Sequence, residues 1–100
     1  MKYYLAQSVM SEPLPVPPED IPSVYIPMHE KHIASGIEAG MVLFAGPKTA
    51  EGGGLMIARA ESREALDAFT SRDPLVTNGL AHFEVKEFLM NDRSRWVEGF

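Results

Sequence analysis

The sequence predicts an α+β protein of the ferredoxin-like type, in which two helices cover one face of an antiparallel sheet. Three observations support this prediction. Four segments have the alternating or continuous apolar pattern of strands, and two have the spacing of amphipathic helices. Their order along the chain is strand, helix, strand, strand, helix, strand. The length of 100 residues is typical of one domain, so we expect residues 1–100 to form a single domain.

A proline-rich stretch separates the first strand from the first helix. Residues 3–9 mix aromatic and β-branched residues with polar ones, which favours a strand. Residues 11–22 contain five prolines, and each proline fixes φ and removes a backbone donor. This stretch is therefore predicted to be an extended surface loop. The helix is predicted to begin at Pro27, where a missing N–H costs nothing, and to end at Gly40.

A hairpin of two apolar strands is predicted next. Residues 41–45 form a continuous apolar run that is too short for a helix and favours a buried strand. Residues 46–53 are predicted to be a loop, and residues 54–60 a third strand.

The second helix has recognisable boundaries. Ser62 is predicted to cap its first turn, and apolar residues recur behind it at helical spacing. The helix is predicted to end at Asp73, because a residue before proline avoids the α region. Residues 74–78 allow one further short turn, which Gly79 closes.

The last strand and a tail complete the chain. Residues 81–86 alternate apolar and polar side chains, which predicts a half-buried strand, and the alternation breaks at Phe88. Residues 91–100 are predicted to be a C-terminal tail that docks on a partner subunit or folds back over a site. Because both helices cover the same face, the other face of the sheet stays apolar and uncovered. We therefore expect a homodimer in which two copies meet sheet face to sheet face.

The composition excludes several classes of protein. The net charge of −5 argues against general binding to nucleic acid or to anionic membranes, which requires a surplus of Lys and Arg. The absence of cysteine excludes disulfides, thiolate catalysis and cysteine zinc sites. No signal-peptide pattern is present, and no apolar run approaches the ~20 residues that span a bilayer. We expect a cytoplasmic protein without nucleic-acid or membrane partners.

His29 is the most informative residue, because it lies on the apolar stripe of the first predicted helix. Steps of three or four residues lead from His29 to Ile33, Gly36, Ile37 and Gly40. The simpler interpretation is a core histidine that is hydrogen-bonded to backbone or water. The functional interpretation is a general acid or base whose orientation is fixed by a carboxylate.

Asp73 is the candidate partner of His29. An aspartate before proline at the start of a helical turn is a common N-cap, which explains Asp73 and Pro74 without any chemistry. A carboxylate has two oxygens, so one can cap the turn while the other holds His29.

The remaining histidines are weaker candidates. His29 and His32 are three residues apart, as in some metal sites, but no carboxylate at ligand spacing completes the ligand set. We therefore expect no metal ion and no other cofactor. His32 is interpreted as a solvated residue or as part of the rim of a pocket, and His82 as a surface residue.

Two glycine-containing segments have simple structural interpretations. The glycines at 52–54 lead into a strand rather than a helix, so they are interpreted as a hairpin tip and not as a phosphate-binding loop. Gly46 and Pro47 are interpreted as a turn, whose backbone is also suited to border a pocket.

Nine short motifs follow one another in a specific order. They are His29, Gly36, Ala39-Gly40, Ala45-Gly46-Pro47, Gly53-Gly54, Ala58-Arg59-Ala60, Ser62-Arg63-Glu64, Asp73-Pro74 and Gly79-Leu80-Ala81. Each motif is weak by itself, but their order and spacing resemble those of the YciI-like (YCII-related) proteins. The resemblance covers residues 27–88 and the first strand.

The resemblance implies a dimeric α+β barrel of ferredoxin-like subunits that binds a small-molecule ligand. It also implies a catalytic pair, His29 and Asp73, that transfers protons on a small cyclic or aromatic substrate without a metal. We expect a lyase or isomerase in which His32, Gly46 and Pro47 bind the substrate. The alternative is a homodimeric ligand-binding or interaction module without turnover.

Overall fold

The computed structural model describes residues 1–100 and contains four strands and three α-helices. The strands are β1 (Lys2–Met10), β2 (Val42–Pro47), β3 (Gly54–Ala60) and β4 (Ala81–Phe88). The helices are α1 (Ile26–Glu38), α2 (Arg63–Thr70) and α3 (Pro74–Thr77). None of these helices combines the length and the hydropathy that crossing a membrane requires.

The four strands form one sheet in the order β2-β3-β1-β4, and all neighbouring strands are antiparallel. This order is that of the ferredoxin-like fold, so the predicted fold class is confirmed. The central strand β1 pairs with β3 up to Gln7↔Leu55 and with β4 up to Met10↔Ala81.

The core lies on the face of the sheet that the helices cover, because alternate side chains of each strand point toward that face. Its buried members are Tyr4, Ala6, Ile33, Val42, Met56, Ala58, Ala60, Leu66 and Phe69. Helix α1 approaches closely at Gly36, where a Cβ would lie 2.6 Å from Cζ of Phe69 and 2.8 Å from Cγ2 of Val42. Only glycine allows this approach, which sets the position of α1 over the sheet.

Helical backbone begins earlier than predicted, and the extended stretch is correspondingly shorter. A π-helical turn at Ile21–Tyr25 precedes α1. Pro22 lies in the first turn of this segment, where its missing N–H is not needed. The end of α1 agrees with the prediction. Gly40 has φ +78°, and its N–H donates to the Ile37 carbonyl oxygen at 3.0 Å, as in a Schellman motif.

Strand β2 lies at the edge of the sheet, so the prediction of a buried strand was wrong. Val42 is buried, whereas Phe44 has 58% of its surface exposed. A bulge between these two residues shifts the register. After the bulge, Ala45 pairs with buried Met56 on the helix face, and Phe44 pairs with Ile57 on the opposite face. Both faces of this strand carry apolar residues, but only Val42 is buried within the chain. An apolar run therefore does not by itself indicate a buried strand.

Three boundaries of the second half agree with the predictions, whereas α2 ends at Thr70 and not at Asp73. The N–H of Ala65 donates to Oγ of Ser62 at 3.1 Å, so Ser62 caps α2. Gly79, with φ +71°, ends the turn that follows α3. Strand β4 ends at Phe88, where the alternation breaks.

The C-terminal tail folds back onto the outer face of its own sheet. The hydroxyl of Tyr3 donates to the Phe100 carbonyl oxygen at 2.9 Å. The guanidinium of Arg59 lies 4.6 Å from the centre of the Phe100 ring and donates to the Gly99 carbonyl oxygen at 2.8 Å. The tail therefore covers one corner of the face opposite the helices.

Candidate functional site

His29 and Asp73 meet between α1 and the start of α3. Nδ1 of His29 lies 2.6 Å from Oδ2 of Asp73, across 44 residues of sequence. The Asp73 side chain is fully buried, while the His29 side chain keeps 20% of its surface exposed. The structure thus brings together the two residues that the sequence analysis selected as a pair.

The carboxylate of Asp73 is fixed by α3. Its Oδ1 accepts a hydrogen bond from the N–H of Leu75 at 2.9 Å, which caps the helix. Its backbone carbonyl accepts from the N–H groups of Val76 and Thr77 at 2.8 and 2.9 Å. The side chain cannot turn without losing the cap, so Oδ2 stays directed at His29.

This contact selects one tautomer of the imidazole. When the carboxylate of Asp73 is ionised it only accepts hydrogen bonds, and Nδ1 of His29 then carries the hydrogen. In the neutral ring, Nε2 is then the unprotonated nitrogen. Nε2 has no hydrogen-bond partner in the protein, and the ring borders a cavity. The arrangement therefore leaves one ring nitrogen without a protein partner on a residue that lines the cavity, which is the geometry that a general acid or base requires.

The cavity has a volume of about 540 Å³ and lies between α1, the sheet and the loop 48–53. Most of its wall is apolar, and the lining includes Met10, Ile33, Ile37, Met56, Leu75 and Phe83. Walls of this kind bind the body of a small ligand by excluding water, and a few polar groups then set its orientation.

Gly46 and Pro47 belong to β2, where they pair with Leu55 and Gly54, so the prediction of a turn was wrong, and both residues line the same cavity. A Cβ at Gly46 would find no atom within 4 Å, so the glycine leaves open space at the cavity wall. The two residues thus lie where a ligand would pass or rest, and their role in binding stays a prediction.

His32 lies away from the cavity, in contrast to its predicted place at the rim of a pocket. Its Nε2 lies 2.7 Å from the Phe69 carbonyl oxygen, and its ring stacks on the Phe69 ring at 4.2 Å between centres. Three residues along a helix turn a side chain by about 60° relative to the starting position. This turn directs His32 toward α2, while His29 faces α3 and the cavity. No group of three or more His, Asp or Glu side chains is arranged to hold a metal ion.

The sheet and the loop 48–53 each contribute a polar residue to the cavity wall that the sequence analysis did not select. Ser8 is 2% exposed, and its Oγ accepts a hydrogen bond from the N–H of Gly54 at 2.8 Å. The side chain of Lys48 is 9% exposed, and its Nζ donates to Oε1 of Gln7 at 3.3 Å. A polar residue at an inward position of an otherwise apolar strand was the available signal for Ser8.

Comparisons with known proteins agree with this fold. The family model of the YCII-related domain matches residues 25–89. No curated protein sequence gives a significant match. The chain is similar in structure to 5-chloro-2-hydroxyhydroquinone dehydrochlorinase from Burkholderia phenoliruptrix AC1100, solved in complex with 2,5-dihydroxybenzoquinone. The TM-score is 0.64 at 19% identity, over 87% of this chain and 93% of that chain, which establishes a shared fold alone.

Proposed function

The chain belongs to the YCII-related family, and on this basis we propose that it is a small-molecule enzyme of the lyase or isomerase type. His29 transfers a proton to or from a small cyclic or aromatic substrate. Asp73 orients the imidazole and stabilises its protonated form. The observation that carries the proposal is the 2.6 Å contact between His29 and the fully buried Asp73 at the wall of an apolar cavity.

The proposed step begins when Nε2 of His29 accepts a proton from a carbon of the bound ring. In a lyase reaction, the electron pair of the broken C–H bond forms a new double bond, and the leaving group departs with its bonding pair. In an isomerase reaction, Nε2 returns the proton to another carbon of the same molecule. General acid–base catalysis of this kind contributes roughly 10²–10⁴-fold to a rate.

The shape and polarity of the cavity support a cyclic substrate. Its volume of about 540 Å³ accommodates a substituted six-membered ring, and its wall is mainly apolar. The structurally similar dehydrochlorinase carries the name of a chlorinated hydroxyhydroquinone as its substrate, which is a compound of this class.

We also propose that the protein acts as a homodimer through the sheet face opposite the helices. Large apolar residues stay exposed on that face, namely Leu5, Phe44, Leu55 and Phe88. Contiguous apolar surface of this kind commonly marks an interface. The tail covers only the corner beside Tyr3 and Arg59, which leaves the exposed residues Phe44 and Leu55 available to a second copy.

The proposed chemistry is tested with His29→Gln and the matched variant His32→Gln. Chlorinated hydroquinones and unsaturated lactones serve as substrates, and chloride release and uptake of solvent deuterium are measured by ion chromatography and NMR. We expect His29→Gln to reduce the rate at least about 100-fold, whereas His32→Gln retains it. Full activity in folded His29→Gln would contradict the proposal. Tight binding without turnover of any of these compounds would favour the ligand-binding module instead.

A further inference from the structure

A buried serine lies in the cavity wall on the sheet side, across from α1. Ser8 occupies an inward position of β1, pairs with Phe83 of β4 and is 2% exposed. Its inward neighbours along β1 are Tyr4 and Ala6, both of which belong to the apolar core. A hydroxyl at this position must find hydrogen-bond partners, because burying an unpaired polar group is unfavourable.

A serine hydroxyl can donate one hydrogen bond and accept two, and within the chain Ser8 uses one acceptor position. Its Oγ accepts from the N–H of Gly54 at 2.8 Å, and no protein atom accepts the hydrogen of its hydroxyl. The backbone pairing between β1 and β3 ends at Gln7↔Leu55. At the next position, the side chain of Ser8 accepts the hydrogen bond from the N–H of Gly54 in place of a backbone carbonyl. Gly53 has φ +71°, and a Cβ there would lie 2.0 Å from the Ser8 carbonyl oxygen. This close approach holds the N–H of Gly54 against Oγ of Ser8, so the hydroxyl hydrogen of Ser8 points away from Gly54.

The other polar side chain of this wall is already engaged outside the cavity. Nζ of Lys48 donates to Gln7, whose side chain lies on the outward face of β1 and itself donates to Glu84. The ammonium group of Lys48 also lies 3.8 Å from Oε2 of Glu51, so both of its partners are side chains that do not line the cavity. Ser8 is thus the uncommitted donor among the sheet side chains of the cavity wall.

We propose that the Ser8 hydroxyl donates a hydrogen bond to an oxygen substituent on the ring of the bound substrate. The inference deepens the proposed function, on which it rests for a small ring as the ligand. It narrows the substrate class to cyclic ketones, quinones and phenols whose oxygen lies away from the carbon that exchanges a proton with His29. Where the oxygen is a carbonyl conjugated with that carbon, or the phenol reacts as its keto tautomer, loss of the proton gives an enolate with negative charge on the oxygen, and a donor at that oxygen stabilises the charge.

The test compares two probes and three variants. The probes are 2,5-dihydroxybenzoquinone and p-xylene, two rings of similar size of which only the first carries oxygen, and affinity is measured by NMR titration. We expect Ser8→Ala to weaken quinone binding about three- to tenfold and to leave p-xylene binding unchanged. The matched control is Ser11→Ala, since the Ser11 hydroxyl donates to the Gly79 carbonyl oxygen and does not line the cavity. Ser8→Cys, which keeps a weak donor, should lose less and serves if Ser8→Ala fails to fold.

Every outcome of this test either supports or overturns the proposed hydrogen bond from Ser8 to the substrate. Equal losses for both probes would mean that Ser8 only supports the wall, and an unchanged quinone affinity would overturn the inference as well. Failure of both probes to bind the unaltered protein would overturn the inference together with the ligand pocket of the proposed function. If quinone binding depends on Ser8 but no tested compound undergoes proton transfer, the proposed hydrogen bond from Ser8 is supported and the proposed enzymatic function is contradicted.

Discussion

Asp73 connects helix capping to the orientation of the His29 imidazole. One carboxylate oxygen holds the N–H of Leu75, and the other holds Nδ1 of His29. A fully buried carboxylate is costly unless each oxygen has a partner, and here both have one. The position of α3 therefore sets the orientation of the imidazole, and Leu75 of α3 also lines the cavity.

The cap and the charge of Asp73 can be separated by substitution. Asparagine caps helices about as well as aspartate, so we expect Asp73→Asn to keep the free energy of unfolding within about 1 kcal/mol of the unaltered protein. Asp73→Ala loses the cap and leaves the N–H of Leu75 unpaired, which should cost about 2 kcal/mol. Urea denaturation measures both values. Equal destabilisation by the two substitutions would mean that the cap contributes little.

At the scale of single elements, local signals predicted more than long-range ones. Ser62, Gly40 and Gly79 mark ends of helices and turns through bonds to near neighbours, and their positions agree with the structure. The proline spacing did not indicate the π-helical turn at Ile21–Tyr25, in which the N–H of Ile26 donates to the carbonyl oxygen of Ile21. Strand β2 was predicted to be buried because an apolar run does not distinguish a core from an exposed apolar surface.

His32 joins α1 to α2 through its ring and its Nε2. In His32→Phe, a phenyl ring would keep the stack on Phe69, while the Phe69 carbonyl oxygen would still accept from the N–H of Arg72 at 3.2 Å. We expect a loss of about 1 kcal/mol or less in unfolding free energy and no change in affinity for 2,5-dihydroxybenzoquinone. Weaker quinone binding by the folded variant would mean that His32 contributes to substrate binding, as the sequence analysis predicted.

At the scale of the whole molecule, we assign ligand binding to one face of the sheet and dimer formation to the other. One face carries the helices, the core and the cavity, and the other carries the exposed apolar residues and the tail. The pair His29 and Asp73 could be predicted because each residue belongs to a recognisable local motif. Ser8 and the cavity volume could not, because they depend on how β1, the loop 48–53 and α1 are placed in space.

The proposed dimer predicts a specific effect of charge on the outer face. Phe44→Glu would bury a carboxylate against the apolar partner surface, so we expect the dimer to weaken at least about 100-fold. Analytical ultracentrifugation over a concentration series measures this change. Ala68→Glu on the exposed side of α2 serves as the control and should stay dimeric. A monomeric unaltered protein at all concentrations, or an unchanged dimer in Phe44→Glu, would contradict the proposed interface.

The central claim is that Asp73 holds the neutral imidazole of His29 with its hydrogen on Nδ1, which leaves Nε2 as the base at the cavity. The ¹⁵N NMR spectrum of the imidazole, recorded for the unaltered protein and for Asp73→Asn, tests it most directly. We expect Nδ1–H in the unaltered protein. In the variant, the cap at Leu75 engages the amide oxygen, so the NH₂ group faces Nδ1 and the hydrogen should move to Nε2. A hydrogen on Nε2 of the unaltered protein, or the same tautomer in both proteins, would contradict the claim.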